Sequence, residues 1–235
     1  MNMTSNINIP WENIHTLLLD MDGTLLDLHF DSYFWKEYVP LKYAQKRGLD
    51  VTTSKRILKP RFIAAEKTLN WYCLDYWSQT LNLDIALLKQ DLTHLISFKP
   101  LAQEFLTTMK KENKQLILVT NAHNKSLALK LEHTLLDQYL DKIISAHDYG
   151  TPKENINFWS KLSCDISFDG HNTLLIDDNI SALESAKEFG IKHLLAVSKP
   201  SSKEAPINTR NFPAMLDFSQ LFDSLPKHYS DSSQI

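Results

Sequence analysis

Glycine is scarce, at five residues in 235, and none of the five builds a GxGxxG or GxxxxGK[ST] pattern. Dinucleotide and P-loop sites need glycines at fixed spacing so that backbone amides can approach phosphate, so neither reading has support. Cysteine is scarcer still. Cys73 and Cys164 are isolated, with no CxxC and no Cys/His ligand spacing, which argues against a disulfide framework and for a reduced, cytoplasmic setting. Basic excess is also missing: 25 Lys and Arg against 28 Asp and Glu leave a net charge of −3, which speaks against nucleic acid held on a basic face. No apolar run approaches membrane-spanning length, so no membrane partner is expected. Residues 1–10 have neither a basic n-region nor an apolar core, and no signal peptide is expected. What remains is a 43% hydrophobic chain able to bury a full core, as one domain with an insertion or as two small ones.

The most informative stretch is His15-Thr-Leu-Leu-Leu-Asp20-Met-Asp22-Gly23-Thr24. An apolar run of buried-strand length ends in two carboxylates two positions apart. Side chains at i and i+2 of a strand share a face, so Asp20 and Asp22 are expected to project together from a strand's carboxyl end, where open α/β sheets place ligands. Gly23 lets the chain turn away without a Cβ penalty. Two neighbouring acids are costly unless a cation or a divided protonation state relieves them. The pair therefore asks for a metal, or for one nucleophilic and one proton-transferring carboxylate.

From about residue 101 the pattern alternates between helix and strand. Helices are expected at 101–111, 124–136, 156–162 and 181–189, with strands at 115–119, 143–144, 172–176 and 192–197. Strands joined by crossover helices imply an α/β fold with a parallel sheet covered on both faces. Residues 28–99 differ. They read as several helices and no clear strand, with Pro40 and Pro60 expected to kink or divide them. Aromatics are dense there; most are expected to pack a small helical module, and one or two to lie over the acidic strand end and stack on an aromatic ligand, with Trp71, Tyr72, Tyr76 and Trp77 the candidates, although helical spacing keeps them from all facing one ring. Residues 198–213 read as a loop, 215–225 as a short helix, and the rest as a polar tail.

Three further strand ends carry chemistry. Thr120 and Asn121 follow one strand, a hydroxyl ahead of free helix-start amides that suits an anion. Lys153 follows Pro152 at what reads as a helix opening. Asp177 and Asp178 follow another strand. Four clustered Asp repel a phosphate, so Lys153 alone cannot make the site attractive. A hard divalent cation such as Mg2+ reverses that balance. Thr120 and Lys153 then cradle phosphoryl oxygens, Asp20 is free to attack phosphorus, and Asp22 to protonate the leaving oxygen.

Asp20-Met-Asp22-Gly23-Thr24, Thr120-Asn121, Lys153 and Asp177-Asp178 resemble the four motifs of the haloacid dehalogenase (HAD) superfamily. The resemblance implies a Rossmann-like core, Mg2+ and an aspartyl-phosphate intermediate. Carried over by position, Asp20 is the nucleophile and Asp22 the general acid/base. Thr120, Asn121 and Lys153 bind phosphate, and Mg2+ is held by Asp20, the Asp22 backbone carbonyl and Asp178, with Asp177 beside it. Ala182 stands where many members carry a further acid. The resemblance also implies a catalytic core from 1–27 and 100–235, with a helical (C1 type) cap at 28–99. An acid two positions after the nucleophile is typical of the superfamily's phosphatases and phosphomutases. Segments 30–35, 68–78 and 130–134 further resemble bacterial purine 5′-nucleotidases acting on GMP and IMP, so the expected partner is a small phosphomonoester, a purine nucleotide. His123, three residues after Thr120, is a further substrate-binding candidate. Two rival readings are a sugar-phosphate or phosphoglycolate-type phosphatase or phosphomutase on the same scaffold, and a non-enzymatic phospho-acceptor signalling domain.

Overall fold

A computed structural model describes residues 7–222 and 224–226. Six parallel strands, β1 (Thr16–Leu19), β2 (Gln115–Thr120), β3 (Lys142–Ser145), β4 (Thr173–Asp177), β5 (His193–Val197) and β6 (Ala214–Met215), form one sheet in the order β3-β2-β1-β4-β5-β6. The expected α/β class is therefore found. All four residues of β1 are buried, and the strand lies between β2 and β4. Leu17, Leu19, Leu116, Leu118, Leu174 and Ile176 face one hydrophobic cluster, while Leu18, Ile117, Val119 and Leu175 face another. That division is the period-two alternation of strands buried on both sides. Strand order reverses on either side of β1, which opens a crevice at the carboxyl ends of β1, β2 and β4.

Between β1 and β2 the chain is helical. It runs through α1 (His29–Tyr33), a π-helical stretch (Phe34–Tyr38), α2 (Val39–Arg47), α3 (Val51–Ala65), α4 (Leu69–Tyr72), α5 (Leu74–Leu81) and α6 (Ile85–Gln90). The chain leaves and re-enters the sheet side by side: Asp27 N–H donates to Ser97 O (2.9 Å) and Lys99 N–H to Leu25 O (2.8 Å). Asp27 Oδ1 also accepts from the N–H groups of His29 and Ser202. The remaining helices are α7 (Ala102–Lys111), α8 (Asn124–Thr134), α9 (Ala146–Tyr149), α10 (Ile156–Asp165), α11 (Ile180–Phe189) and α12 (Ser219–Phe222).

Several local expectations change. Pro40 follows the π-helical turn, a widened geometry that accommodates a residue without an N–H. Pro60 does not divide α3. It is exposed, so the carbonyl it leaves unpartnered can meet water. The breaks fall instead at Lys67, with φ +63°, and at the extended Cys73. Lys153 stands in a turn ahead of α10 rather than in its first turn, because Asn155 caps the helix by accepting from Asn157 N–H. Ala214–Met215 pairs with β5 as an edge strand, which among the described residues leaves only Ser219–Phe222 helical near the C-terminus. The polar tail beyond 226 lies outside the described residues.

Candidate active site

The turn after β1 sets the floor of the site. Asp20 N–H still bonds Ile176 O (3.0 Å), continuing the β1–β4 ladder. The chain then folds tightly, with Leu25 and Leu26 N–H on Met21 O and Gly23 N–H on Leu26 O. Gly23 has φ +93°, and a Cβ there would lie 2.5 Å from Asp178 Oδ2. Glycine is required twice over, by backbone angle and by the approach of the carboxylate. This turn also separates the two acids that strand geometry had put on one face. Asp20 and Asp22 line the same cavity, of about 780 Å³, but bind different cations.

Asp20 is buried. Its Oδ1 accepts from Lys153 Nζ (2.5 Å), while Oδ2 has no hydrogen-bond partner. Lys153 Nζ also donates to Asp177 Oδ2 (2.7 Å) and to Val119 O (3.0 Å). The lysine is fixed at both backbone ends: its N–H donates to Asn121 Oδ1 (2.9 Å), and its carbonyl accepts from Trp159 Nε1 (3.0 Å). Burial pushes the Asp20 carboxyl up to about 6, against the pull of Lys153. Burial acts to lower Lys153, but Asp177 and Asp20 outweigh it and hold the ammonium charged. Asp177 is raised by burial, and Asp178 is raised well above the carboxylate range by burial and the charges of Asp20 and Asp177.

Carboxylate oxygens of Asp20, Asp177 and Asp178 lie within 4.8 Å of one another. One ammonium cannot neutralise three converging carboxylates, and the unpartnered Asp20 Oδ2 is an oxygen donor still to be satisfied. A compact all-oxygen donor set of this charge fits Mg2+. The Asp22 carboxylate is not in this cluster.

Asp22 belongs to a second buried network. Lys130 of α8, 1% exposed, donates to Asp22 Oδ1 (2.5 Å) and to Asp31 Oδ2 (2.6 Å). Lys89 of α6 donates to Asp31 Oδ1 (2.5 Å), and both ammoniums lie over the Phe30 ring. Burial raises Asp22 to about 6, with Lys130 opposing and Asp31 adding to the rise. Sequence reading missed Asp31, Lys89 and Lys130 as a group. The available signal was Lys130 following Ser126 and Leu127 at helical spacing, a charge on the buried face of α8.

Glu154 is a second omission, visible only as the neighbour of Lys153. Its Oε1 accepts from Tyr72 Oη (2.6 Å) and Asn179 Nδ2 (2.9 Å), and its Oε2 from Asn121 Nδ2 (2.8 Å). The Asn121 side chain is thus spent on positioning Lys153 and Glu154. Thr120 Oγ1 accepts from Ala122 N–H (3.0 Å) at the cavity wall. Of the aromatic candidates, Trp71 and Tyr72 line the cavity, as does His123. Tyr76 and Trp77 are outside the lining: Tyr76 packs edge-on to Trp77 (5.0 Å), which is fully buried. Trp35 and Phe62, not singled out from sequence, complete the aromatic wall around Trp71.

A six-stranded parallel sheet whose central strand ends in paired acids, with further acids at a neighbouring strand end and a lysine reaching in from the turn ahead of α10, defines a class of hydrolase scaffold. The haloacid dehalogenase-like hydrolase family matches residues 17–196, and the chain belongs to it. The GMP/IMP nucleotidase YrfG of Escherichia coli (strain K12) is 40% identical over 220 residues, covering 94% of this chain and 99% of that protein. Among solved structures, a HAD phosphatase from Thermococcus onnurineus superposes with a TM-score of 0.75 at 17% identity, over 89% of this chain and 97% of that one. The L-2-haloacid dehalogenase of Xanthobacter autotrophicus gives 0.54 at 18% identity, over 81% and 80%. Such distant similarities show the fold alone, and dehalogenase and phosphatase share it. No helix among the described residues is long and apolar enough to cross a membrane.

Proposed function

We propose that this protein is a Mg2+-dependent phosphomonoesterase that hydrolyses purine nucleoside 5′-monophosphates, GMP and IMP, in the cytoplasm. The observation that carries the reading is Asp20, a residue lining the cavity: one of its oxygens is pinned by Lys153, and the other is buried without a hydrogen-bond partner. A carboxylate held in this way has its orientation fixed before substrate arrives.

Asp20, Asp177 and Asp178 would hold Mg2+, with the Asp22 backbone carbonyl as a further ligand. The bound ion would neutralise the carboxylates and draw phosphoryl oxygens toward them. A carboxylate oxygen of Asp20 attacks phosphorus, and the bond from phosphorus to the nucleoside 5′-oxygen breaks. Asp22, with its carboxyl near 6, gives that oxygen a proton. Water then attacks the aspartyl phosphate, Asp22 takes back a proton, and phosphate leaves with Asp20 regenerated. Thr120 and Lys153, the lysine exchanging one of its three present hydrogen bonds for one to phosphate, hold the non-bridging oxygens, while Asn121 sets the loop that carries Lys153.

Residues 28–99 act as the cap over a core formed by 1–27 and 100–235. Trp71 and Trp35, inclined by 27° with Phe62 edge-on to both, offer the cavity an aromatic wall for a purine. The similarity to the Escherichia coli GMP/IMP nucleotidase supports this choice of substrate. A kinetic panel of nucleoside monophosphates, sugar phosphates and phosphoglycolate tests it. GMP and IMP are expected to give the highest kcat/KM. Inactivity on both beside strong sugar-phosphate turnover would transfer the reading to a sugar-phosphate phosphatase.

A further inference from the structure

Outside the carboxylate site, one ligand atom each from Cys73, His123 and His147 lies within 4.8 Å of the other two. The three come from different elements. Cys73 is the N-cap of α5 in the helical insertion, His123 the N-cap of α8 behind β2, and His147 lies in α9 behind β3.

Their state suits ligation. His147 Nε2 is buried without any hydrogen-bond partner, and buried polar atoms rarely stay orphaned. Burial, with His123 adding to it, pulls His147 down to about 4. Burial also lowers His123, against the pull of Asp75. Both shifts run toward the neutral imidazole, the form a metal binds. Cys73 Sγ faces the amide end of α5 and accepts from Tyr76 N–H (3.4 Å). Asp75 Oδ2 lies 3.7 Å from His123 Nε2, within reach of a fourth position.

We propose that Cys73, His123 and His147, with Asp75 or water completing a tetrahedron, bind a Zn2+-class ion that fastens the helical insertion to the sheet. One thiolate, two imidazoles and a carboxylate are borderline donors suited to such an ion and not to Mg2+. Metal–sulfur and metal–nitrogen bonds of about 2.3 and 2.1 Å put ligand atoms roughly 3.3–3.7 Å apart, so side-chain rotation of about an ångström closes the site. Ligation through His123 Nε2 moves its proton to Nδ1. That ends a weak contact from Lys125 N–H (3.3 Å), which water replaces at this exposed residue. Because Cys73 belongs to the insertion and both histidines to the core, the bound ion resists any opening of the cavity between them.

The test is a Co2+ titration of the full-length Cys164→Ser protein with Mg2+ in excess, so that the carboxylate site is filled and Cys73 is the sole thiol. One equivalent of Co2+ is expected to raise a near-ultraviolet sulfur-to-cobalt charge-transfer band, and Zn2+ to abolish it by displacement. Cys73→Ser should remove the band while keeping the fold, since serine also caps helices, and matching circular dichroism checks this. His147→Ala should weaken Co2+ binding by at least about tenfold. Absence of the band in the Cys73-containing protein, or an affinity unchanged by His147→Ala, would overturn the proposal, whatever the substrate proves to be.

Discussion

Replacing Lys130 by Met keeps the length and volume of a side chain that is 1% exposed and removes its charge. The ammonium holds Asp22 Oδ1 at 2.5 Å and Asp31 Oδ2 at 2.6 Å. Deleting one partner of a buried ion pair costs about 3–5 kcal/mol, because the other charge stays buried. Asp31 retains Lys89, and the two carboxylates are 17% and 21% exposed, so the low end, about 3 kcal/mol, is expected. That shifts a urea midpoint by about 1–2 M. The loss should depend on pH. Asp22 in the folded protein sits near 6, above its ordinary 3.8, so it subtracts stability progressively as pH rises through that interval. Without Lys130 its folded pKa climbs further, and the deficit of the variant widens between pH 5 and pH 8. Asp31, held low because Lys130 and Lys89 outweigh burial, is ionised at both pH values and contributes the constant part. Urea unfolding of metal-free protein at the two pH values measures this. A deficit under about 1 kcal/mol would mean that Lys130 contributes only its apolar stem, and a larger one equal at both pH values would refute the coupling to Asp22.

Asp20→Asn should lower turnover by about 10^4-fold or more without lowering Tm, since it also removes one charge from the carboxylate cluster; activity within tenfold of wild type would refute the nucleophile assignment. Chelation by EDTA should silence the enzyme, and Mg2+ should raise Tm more at pH 8 than at pH 5. Asp20, near 6, holds a proton at the lower pH that the metal must displace, and burial moves Asp177 and Asp178 in the same direction. Equal stabilisation at both pH values would count against these carboxylates as ligands. Trp71→Ala should cost about 1–3 kcal/mol of kcat/KM on GMP, the worth of one base–aromatic stack, while sparing p-nitrophenyl phosphate. Tyr76→Ala, outside the cavity lining, should lower Tm and leave that substrate ratio unchanged.

The sheet was legible because buried parallel strands are continuous apolar runs, and each of β1, β2 and β4 ends at the polar residues that mark a strand's edge. The scarcity of glycine and cysteine excluded rival phosphate sites and disulfide scaffolds without any geometry. β6 was not legible, since two residues pair through position alone. Helix boundaries in the insertion were set by caps and by a positive φ at Lys67, which tertiary packing imposes and composition does not announce.

The sequence by itself determined the scaffold and the strand-end chemistry, because hydrophobic period and motif spacing are local properties of the chain. Only tertiary structure decided how the charges pair. It separated Asp20 from Asp22 by giving each its own lysine, Lys153 and Lys130. It recruited Asp31, Lys89 and Glu154, and gathered Cys73, His123 and His147 from three elements. Those pairings depend on burial and on distances between residues remote in the chain, where a low dielectric makes each unpaired charge costly. No one-dimensional spacing encodes them.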